Sequence, residues 1–391
     1  MTDRLTGERL VLVSVYERHS LSAAVTNENG FYQLRLPASL NRADVRVVKQ
    51  QYEPGLVMIR AATDQTRDVA LTPRPATERL QPLTLCPPDS DSLLPTFETS
   101  PLLKTPVPTS QQVFSENVED TLRRAFQISF LPMLGTNHRL SGSVINNVSV
   151  NVLAGYSGGV DGFEVGGLVN LVRGSVHGVQ LGGLGNLVRG NVQGVHVAGF
   201  VNFTRKNLWA VQVAGFVNAV GGSMKGAQVA GFANINAGSN NGFQLAGFTN
   251  LNGRDNQGAQ ISGFANGTLS NNTGLQLSGF ANFARLNQHG WQISGFANYA
   301  RTVTGGHQIG LFNYADSSAT APIGFLSFVR KNGYRRLEIS GDEVLPANLT
   351  FRTGVRRFYN IFTAVLQSDY LYRLGGWARG NTVSVRLSLI F

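Results

Sequence analysis

Apolar and polar positions repeat every 16 residues between residues 163 and 298. Each copy runs apolar, usually Gln, aliphatic, small, Gly, Leu or Phe, small, Asn. Nine copies follow one another without an insertion, and so strict a period indicates a tandem-repeat architecture. The recurring structural pairs are Gly167 and Asn170, Gly183 and Asn186, Gly199 and Asn202, Gly215 and Asn218, Gly231 and Asn234, Gly247 and Asn250, Gly263 and Asn266, Gly279 and Asn282, and Gly295 and Asn298.

Each copy predicts a β-strand of nine residues followed by a turn. In the copy at 275–283, Leu275, Leu277, Gly279, Ala281 and Phe283 alternate with Gln276, Ser278, Phe280 and Asn282. Side chains alternate across a strand, so this order separates an apolar face from a mostly polar face. The next seven residues contain turn formers and usually end in Gly.

Two architectures use such a unit. In a membrane β-barrel, nine residues tilted by roughly 40° would cover about 23 Å, close to the apolar band of an outer-membrane barrel. Lipid would meet the apolar face, and the Gln and Asn side chains would line the lumen. In a parallel β-solenoid, each 16-residue copy would be one coil with stacked Gln and Asn. Aromatic side chains at both ends of the apolar face resemble interfacial girdles: Phe163, Phe243 and Trp291 at one end, and Phe203, Phe283 and Tyr299 at the other.

The repeats alone leave this choice open. A solenoid coil needs a second buried face, and the candidate column changes from apolar to polar along the chain, which argues against a solenoid. Its members are Val176, Val192, Leu208 and Met224, followed by Asn240, Asn256, Asn272, Gln288 and Thr304. Equal spacing argues against a barrel, whose turns and loops usually differ in length.

The C-terminal segment favours the barrel. Val383, Val385, Leu387 and Leu389 alternate with more polar residues, and the chain stops at Phe391. This segment resembles the last strand by which outer-membrane barrels are recognised for assembly. We therefore predict an all-β chain with a repeat-built antiparallel β-barrel over 126–391, and a parallel β-solenoid as the alternative.

Composition fits a protein whose surface does not all meet water. Charged residues make up 14% of the chain, against about 25% in ordinary soluble proteins, and 42% of residues are apolar. The net charge is +10, but no nucleic-acid-binding module is present, so nucleic acid is not an expected partner. Cys86 is the single cysteine, which excludes a disulfide framework, and no apolar run is long enough for a transmembrane helix.

Three regions follow from the pattern. Short strands separated by turn-forming residues over 1–72 predict a small β-sandwich. A Pro-rich linker over 73–125 follows and ends in a short helix predicted at Ser115–Arg124. Within the first region, the strands predicted include 10–16, 31–37 and 45–48. The large β domain occupies 126–391.

Motifs in residues 1–72 resemble the carboxypeptidase regulatory-like domain. They are Thr2-Asp3, Thr6-Gly7-Glu8, the turn Thr26–Gly30 with Phe31-Tyr32, and Gln51-Tyr52-Glu53-Pro54. The resemblance implies an accessory β-sandwich without peptidase activity, common in Gram-negative outer-membrane proteins. Its first strand ends here at Thr2-Asp3, so we expect the rest of that strand, and a signal peptide, upstream of Met1.

Residues 126–391 also resemble a bacterial surface-repeat family with Gly-x-x-Asn units. That resemblance implies a location at the outer membrane or cell surface, with outer-membrane lipid and the barrel-assembly machinery as partners. The expected function is a non-enzymatic barrel that is structural or pore-forming. The alternative is a surface-tethered solenoid that binds partners or ligands.

Candidate chemistry is sparse. No His is followed two to four residues later by a metal-ligating residue, and His196 and Glu164 occupy the Gln position of their repeats. No nucleophile elbow or phosphate loop is present, so no catalytic, metal or cofactor site is predicted. In a barrel, Arg352, Arg356 and Arg386 alternate with apolar residues and would form a basic wall of the lumen.

Overall fold

The structure, a computed structural model, describes residues 1–60, 64–75, 109–118, 120–132, 134–341, 347–356, 358–373 and 376–390. The described chain is all-β, as the alternation predicts, and its repeats form a β-solenoid of about 12 turns. It divides into two compact units: Met1–Gly215 with Ala219–Gly222, and Phe216–Asn218 with Ser223–Phe391. Cys86 and most of the predicted Pro-rich linker lie outside the described residues.

The first unit begins with two small sheets. Thr2–Asp3 pairs in parallel with Ala70–Leu71. A four-stranded antiparallel sheet has the order Ala23–Val25, Ser14–Glu17, Ala43–Val48, Gly55–Ile59. Their shared core includes Val15, Val47 and Leu71, which are almost fully buried.

The strand predicted at 31–37 is wrong. Tyr32, Leu34 and Leu36 do pack on the core at alternate positions, so the alternation is real. The segment is nevertheless assigned to no strand, because its backbone joins no ladder. Burial of every second side chain therefore shows here that an extended segment packs on the core, and not that the segment belongs to a sheet.

The short helix lies earlier than predicted, at Thr109–Asn117 instead of Ser115–Arg124. Its Phe114 packs with Tyr16, Leu140 and Val144, and the next strand already begins at Leu122. The Ser115 hydroxyl, at the start of the predicted helix, lies 3.1 Å from the hydroxyl of Tyr156. The helix thus closes the first coils with an apolar cluster.

Two strands per coil form two parallel sheets. In the first unit they are Leu122–Leu131, Val144–Asn151, Ala154–Ser157, Gly159–Gly166, Val169–Val172, Val176–Gly182, Gly185–Val188, Val192–Ala198, Val201–Thr204 and Leu208–Ala214, with the 3-10 helix His138–Ser143. The short strand Leu134–Gly135 pairs antiparallel with Leu122–Leu131 at the edge of one sheet. Val217–Val220 is divided between the units. In the second unit they are Met224–Ala230, Ala233–Asn236, Asn240–Ala246, Thr249–Asn252, Ala259–Ser262, Ala265–Thr268, Leu275–Ser278, Ala281–Gln288, Trp291–Ser294, Ala297–Val303, Gln308–Ile309, Phe312–Ser318 and Leu326–Val329.

Parallel pairing contradicts the predicted barrel. Through the regular repeats each residue pairs with the one 16 positions later, as Val176 does with Val192 and Ala259 with Leu275. A barrel of consecutive hairpins would need antiparallel neighbours. The predicted nine-residue strand 275–283 is also wrong, because the chain bends at Gly279 and Phe280 and starts a second strand at Ala281.

The solenoid does have the second buried face, although the column that forms it becomes polar along the chain. Leu208 and Met224 of that column are buried, and so are the amides that replace them further along. Asn240 donates to Asn256 at 2.7 Å, Asn256 to Asn272 at 2.6 Å, and Asn272 to Gln288 at 2.8 Å. Stacked amides satisfy one another inside the protein, so a polar column can be a core column.

An antiparallel sheet ends the second unit, with the order Tyr334–Ser340, Ala347–Val355, Phe358–Arg373, Gly376–Ile390. Thr353 donates to the Ser327 carbonyl at 2.7 Å, and Asn360 donates to the Gly324 carbonyl at 2.7 Å. These bonds satisfy carbonyls at the open edge of the final coil. Phe391 and the side chains of the predicted assembly strand lie outside the described residues.

Candidate functional site

The interior contains a continuous column of Asn side chains in each unit. Asn170 donates from Nδ2 to Asn186 Oδ1 at 2.9 Å and to the Leu181 carbonyl at 2.8 Å. Asn266 repeats this geometry with Asn282 Oδ1 at 3.0 Å and the Leu277 carbonyl at 2.8 Å. The Asn of each repeat is fully or almost fully buried, so this column holds neighbouring coils together rather than meeting a ligand.

The Gly three residues earlier lies where adjacent coils approach closely. A Cβ placed on Gly263 would meet the Gly247 carbonyl oxygen, and one on Gly279 would meet the Gly263 carbonyl oxygen, far inside van der Waals contact. The column therefore requires Gly for space. Both recurring columns predicted from the sequence have a structural explanation.

Two ionisable residues interrupt the Gln column of the first unit. Glu164 is fully buried and accepts from Asn151 at 3.0 Å and from Gln180 at 2.6 Å. Burial raises its pKa to about 6, although the hydrogen bonds act in the opposite direction. His196 is fully buried, burial lowers its pKa to about 3, and its ring nitrogens have no hydrogen-bond partner among the described residues.

We predict that Glu164→Gln raises the free energy of unfolding by up to about 2 kcal/mol at pH 8, at about 1.4 kcal/mol per pKa unit. The pKa of Glu164 in the folded protein exceeds the ordinary value of 4.5 for a glutamate, so wild-type stability falls as pH rises from about 4.5 to about 6 and stays low above it. Gln does not titrate, so the variant should lose this dependence. Urea unfolding at pH 4.5 and pH 8 measures both effects.

Gln276→Glu is the matched reverse variant, because Gln276 is fully buried in the same column of the second unit. It should introduce a loss of stability with rising pH. A Glu164→Gln protein that keeps the wild-type fall in stability between pH 4.5 and pH 8 would contradict the assignment of Glu164 as a buried, destabilising carboxylate.

The outer corner of the coil carries a column of exposed phenyl rings, whereas strict strand alternation predicts that they point inward. Phe280 was predicted on the polar, inward face, but the bend at Gly279 and Phe280 turns it outward, where it is 42% exposed. The occurrence of Phe directly after Gly in successive copies was the available signal. We call the following residues of the second unit the Phe ridge: Phe216, Phe232, Phe248, Phe264, Phe280 and Phe296.

The rings of the Phe ridge stack on one another. Consecutive centroids are 4.7–5.0 Å apart, with interplanar angles of 1–12°. Two outward positions lie on the strand before each ridge Phe, five and three residues earlier, and two lie on the strand after it, one and three residues later. From Phe232 to Phe296 none of these positions carries a charge. We call these positions the slopes. The predicted girdle residues Phe243, Trp291, Phe283 and Tyr299 lie on them and are 37–46% exposed.

Charged residues are confined to the other edge of the coil. Between Ser223 and Thr302 each one is at least five residues from the nearest Phe of the ridge. They are Lys225, Arg254, Asp255, Arg285 and Arg301. This stretch is therefore amphipathic in cross-section, with an uncharged corner and a net positive charge elsewhere.

A shallow polar groove of about 340 Å³ lies along that charged edge and is lined by Asp255, Gln257, Asn271, Thr273, Asn287, His289 and Thr304. Within it, Asn287 Nδ2 donates to Asn271 Oδ1 at 3.0 Å. The backbone and side-chain nitrogens of Asn271 both lie 3.0 Å from Asp255 Oδ1. Burial raises the pKa of Asp255, but hydrogen bonds from Ser270 and Asn271 outweigh it and lower that pKa overall. The hydrogen bonds between Asp255 and Asn271 hold neighbouring turns together, which explains these polar side chains without a ligand.

The three arginines of the predicted basic wall are placed differently from one another. Arg352 pairs with Glu338 at 2.9 Å, and Arg336 pairs with the same carboxylate at 2.7 Å. Arg356 is exposed, and the Arg386 side chain lies outside the described residues. The wall depended on a barrel lumen, and the parallel coils contradict that premise.

Within the described ranges, no group of three or more His, Cys, Asp and Glu side chains could hold a metal ion. No helix in the described part of the chain is long and apolar enough to cross a membrane. Comparison with protein-family models, curated proteins and solved structures finds no match to this chain. The two resemblances noted in the sequence therefore stay predictions.

Proposed function

We propose that this chain is a non-enzymatic β-solenoid of a cell surface, and that it binds partners through the Phe ridge and the slopes. The observation that carries the proposal is an uncharged surface in which six Phe side chains are each 39–42% exposed. Extended apolar patches of this kind on soluble proteins mark interaction sites. The buried Asn and Gln columns and the closely packed Gly column already account for how the coils hold together, which leaves the ridge available for binding.

The competing explanation is that the stacked rings only stabilise the solenoid. A stacked aromatic pair contributes about 0.5–1.5 kcal/mol, so this explanation is physically reasonable. The triple variant Phe248→Gln, Phe264→Gln, Phe280→Gln separates the two. Leu is the matched control, because Leu168 and Leu184 occupy the same repeat position.

Retention on phenyl-agarose, together with thermal unfolding followed by circular dichroism, tests the proposal. We expect wild type and the triple Leu variant to be retained, and the triple Gln variant to stay folded but elute early. Equal retention of the folded Gln variant and wild type would overturn the proposed binding surface. Unfolding of the Gln variant under conditions where the Leu variant is native would assign the ridge to stability instead.

A further inference from the structure

Ring stacking in the Phe ridge limits what the ridge can bind. Neighbouring planes are within 12° of parallel and their centroids within 5.0 Å, so each inner ring covers the faces of its neighbours. Only ring edges project outward. Sugar rings and nucleobases bind by stacking on exposed aromatic faces, which the inner rings do not offer. An edge-exposed ridge instead suits aliphatic chains.

The backbone amides of the corner, and the Phe carbonyls, are already hydrogen-bonded from coil to coil. The Phe248 carbonyl accepts from Phe264 N at 3.0 Å and from Ala265 N at 3.1 Å, and Gly263 N donates to the Ala246 carbonyl at 3.3 Å. The same pattern recurs in the neighbouring coils. An unsatisfied backbone group costs several kcal/mol in hydrocarbon, so these bonds lower the cost of bringing the amides and the Phe carbonyls of the corner into lipid.

With increasing distance from the ridge, the outward side chains change from apolar, through Tyr, to Arg. On the strand Ala297–Val303, Tyr299 lies on the slope, three residues after Phe296, and the exposed Arg301 lies beyond the slope, five residues after Phe296. At about 3.3 Å per residue these positions are about 10 Å and about 16 Å along the strand. Phe283 and Arg285 repeat the order one coil earlier. On the other slope, Trp291 is 46% exposed.

This order matches the depth profile of a bilayer surface. Hydrocarbon meets apolar side chains, the interface favours Tyr and Trp, and phosphate headgroups attract Arg and Lys. Interfacial elements typically insert about 5–10 Å, a depth at which the ridge would contact acyl chains while the arginines stay among headgroups. The stretch from Ser223 to Thr302 has four basic residues and one acidic residue, which complements an anionic surface.

We propose that the Phe ridge inserts into the interfacial region of an anionic bilayer, with Tyr299 and Trp291 at the interface and Arg285 and Arg301 at the headgroups. This inference rests on the proposed binding surface and names its partner as lipid. A second copy of the chain fits less well, because two like-charged flanks would face each other across an uncharged ridge.

Co-sedimentation of the full chain with phosphatidylcholine vesicles containing phosphatidylglycerol is the first test. We expect wild type to bind and Phe248→Gln, Phe264→Gln, Phe280→Gln to bind about a hundredfold more weakly, because three apolar ring edges stay in water. The triple Leu control should bind like wild type. Arg285→Gln with Arg301→Gln should weaken binding to these vesicles but not to pure phosphatidylcholine.

Depth is the second readout. In a protein whose Trp209 and Trp377 are changed to Phe, the fluorescence of Trp291 should be quenched by lipids brominated on their acyl chains. Absence of vesicle binding by a protein that phenyl-agarose retains would overturn the lipid proposal and leave the binding surface standing. Concentration-dependent dimers that the Phe variant abolishes, without vesicle binding, would assign the ridge to a second copy instead.

Discussion

Gly263→Ala is expected to lower the free energy of unfolding by about 3 kcal/mol or more, at or above the upper end of the usual range for overpacking. The added Cβ would overlap the Gly247 carbonyl oxygen, which belongs to the backbone of the adjacent coil and has no flexible side chain to move. Relief would require separating two coils, and so would weaken the ladder bonds on both sides. Urea unfolding followed by circular dichroism measures the loss.

Ala265→Val is the matched control, two residues away on the outward face of the next strand. Val169, Val201 and Val217 occupy the same repeat position in other coils, so a larger side chain is compatible with that position. We expect a change within about 0.5 kcal/mol, the usual range for surface substitutions. Equal destabilisation by the two variants would contradict the close approach of coils at the Gly column.

Asn266→Asp is expected to cost about 3–5 kcal/mol at pH 7, because it places an unpaired charge inside the protein. Asn266 Nδ2 donates to the Leu277 carbonyl and to Asn282 Oδ1, whereas a carboxylate has only acceptor oxygens to present to them. The donation from Asn250 at 2.9 Å can persist, so part of the ladder remains. Protonation at low pH should restore part of the stability.

Asn241→Asp makes the same chemical change at an exposed position of the second unit. Its effect should be within about 0.5 kcal/mol at either pH. Measuring both variants by urea unfolding at pH 4 and pH 7 separates burial from charge. If Asn266→Asp were as stable as wild type at pH 7, the buried Asn column would be disproved.

The period and the inward direction of the Gln and Asn positions were both evident from the sequence. Gln276 and Asn282 recur at positions that strand alternation places on one face, and both are buried. The choice between barrel and solenoid was wrong because both place polar amides inside. Strand alternation is a local property, whereas the relative direction of neighbouring strands depends on pairing that one copy does not encode.

Hydrophobicity alone does not reveal the second buried face, because the column that forms it becomes polar after Met224. Asn240 and Asn256 are as buried as Val176 and Val192, and their amides bond along the column. The Phe ridge was missed for a related reason. Strict alternation places Phe280 inward, and only the bend at Gly279 reverses it, although a Gly-Phe pair in successive copies was visible throughout.

Disulfide formation between designed cysteines tests the parallel coils most directly. In a Cys86→Ser background, Thr249→Cys with Ala265→Cys joins two residues that pair across neighbouring coils. Parallel strands are about 4.8 Å apart, which suits a disulfide, whereas Thr249→Cys with Ala281→Cys would span about twice that distance. We predict that oxidation crosslinks the first pair and not the second, as mass spectrometry of digested protein would show. Failure of the first pair in a folded protein, as expected if successive strands ran antiparallel, would contradict the solenoid.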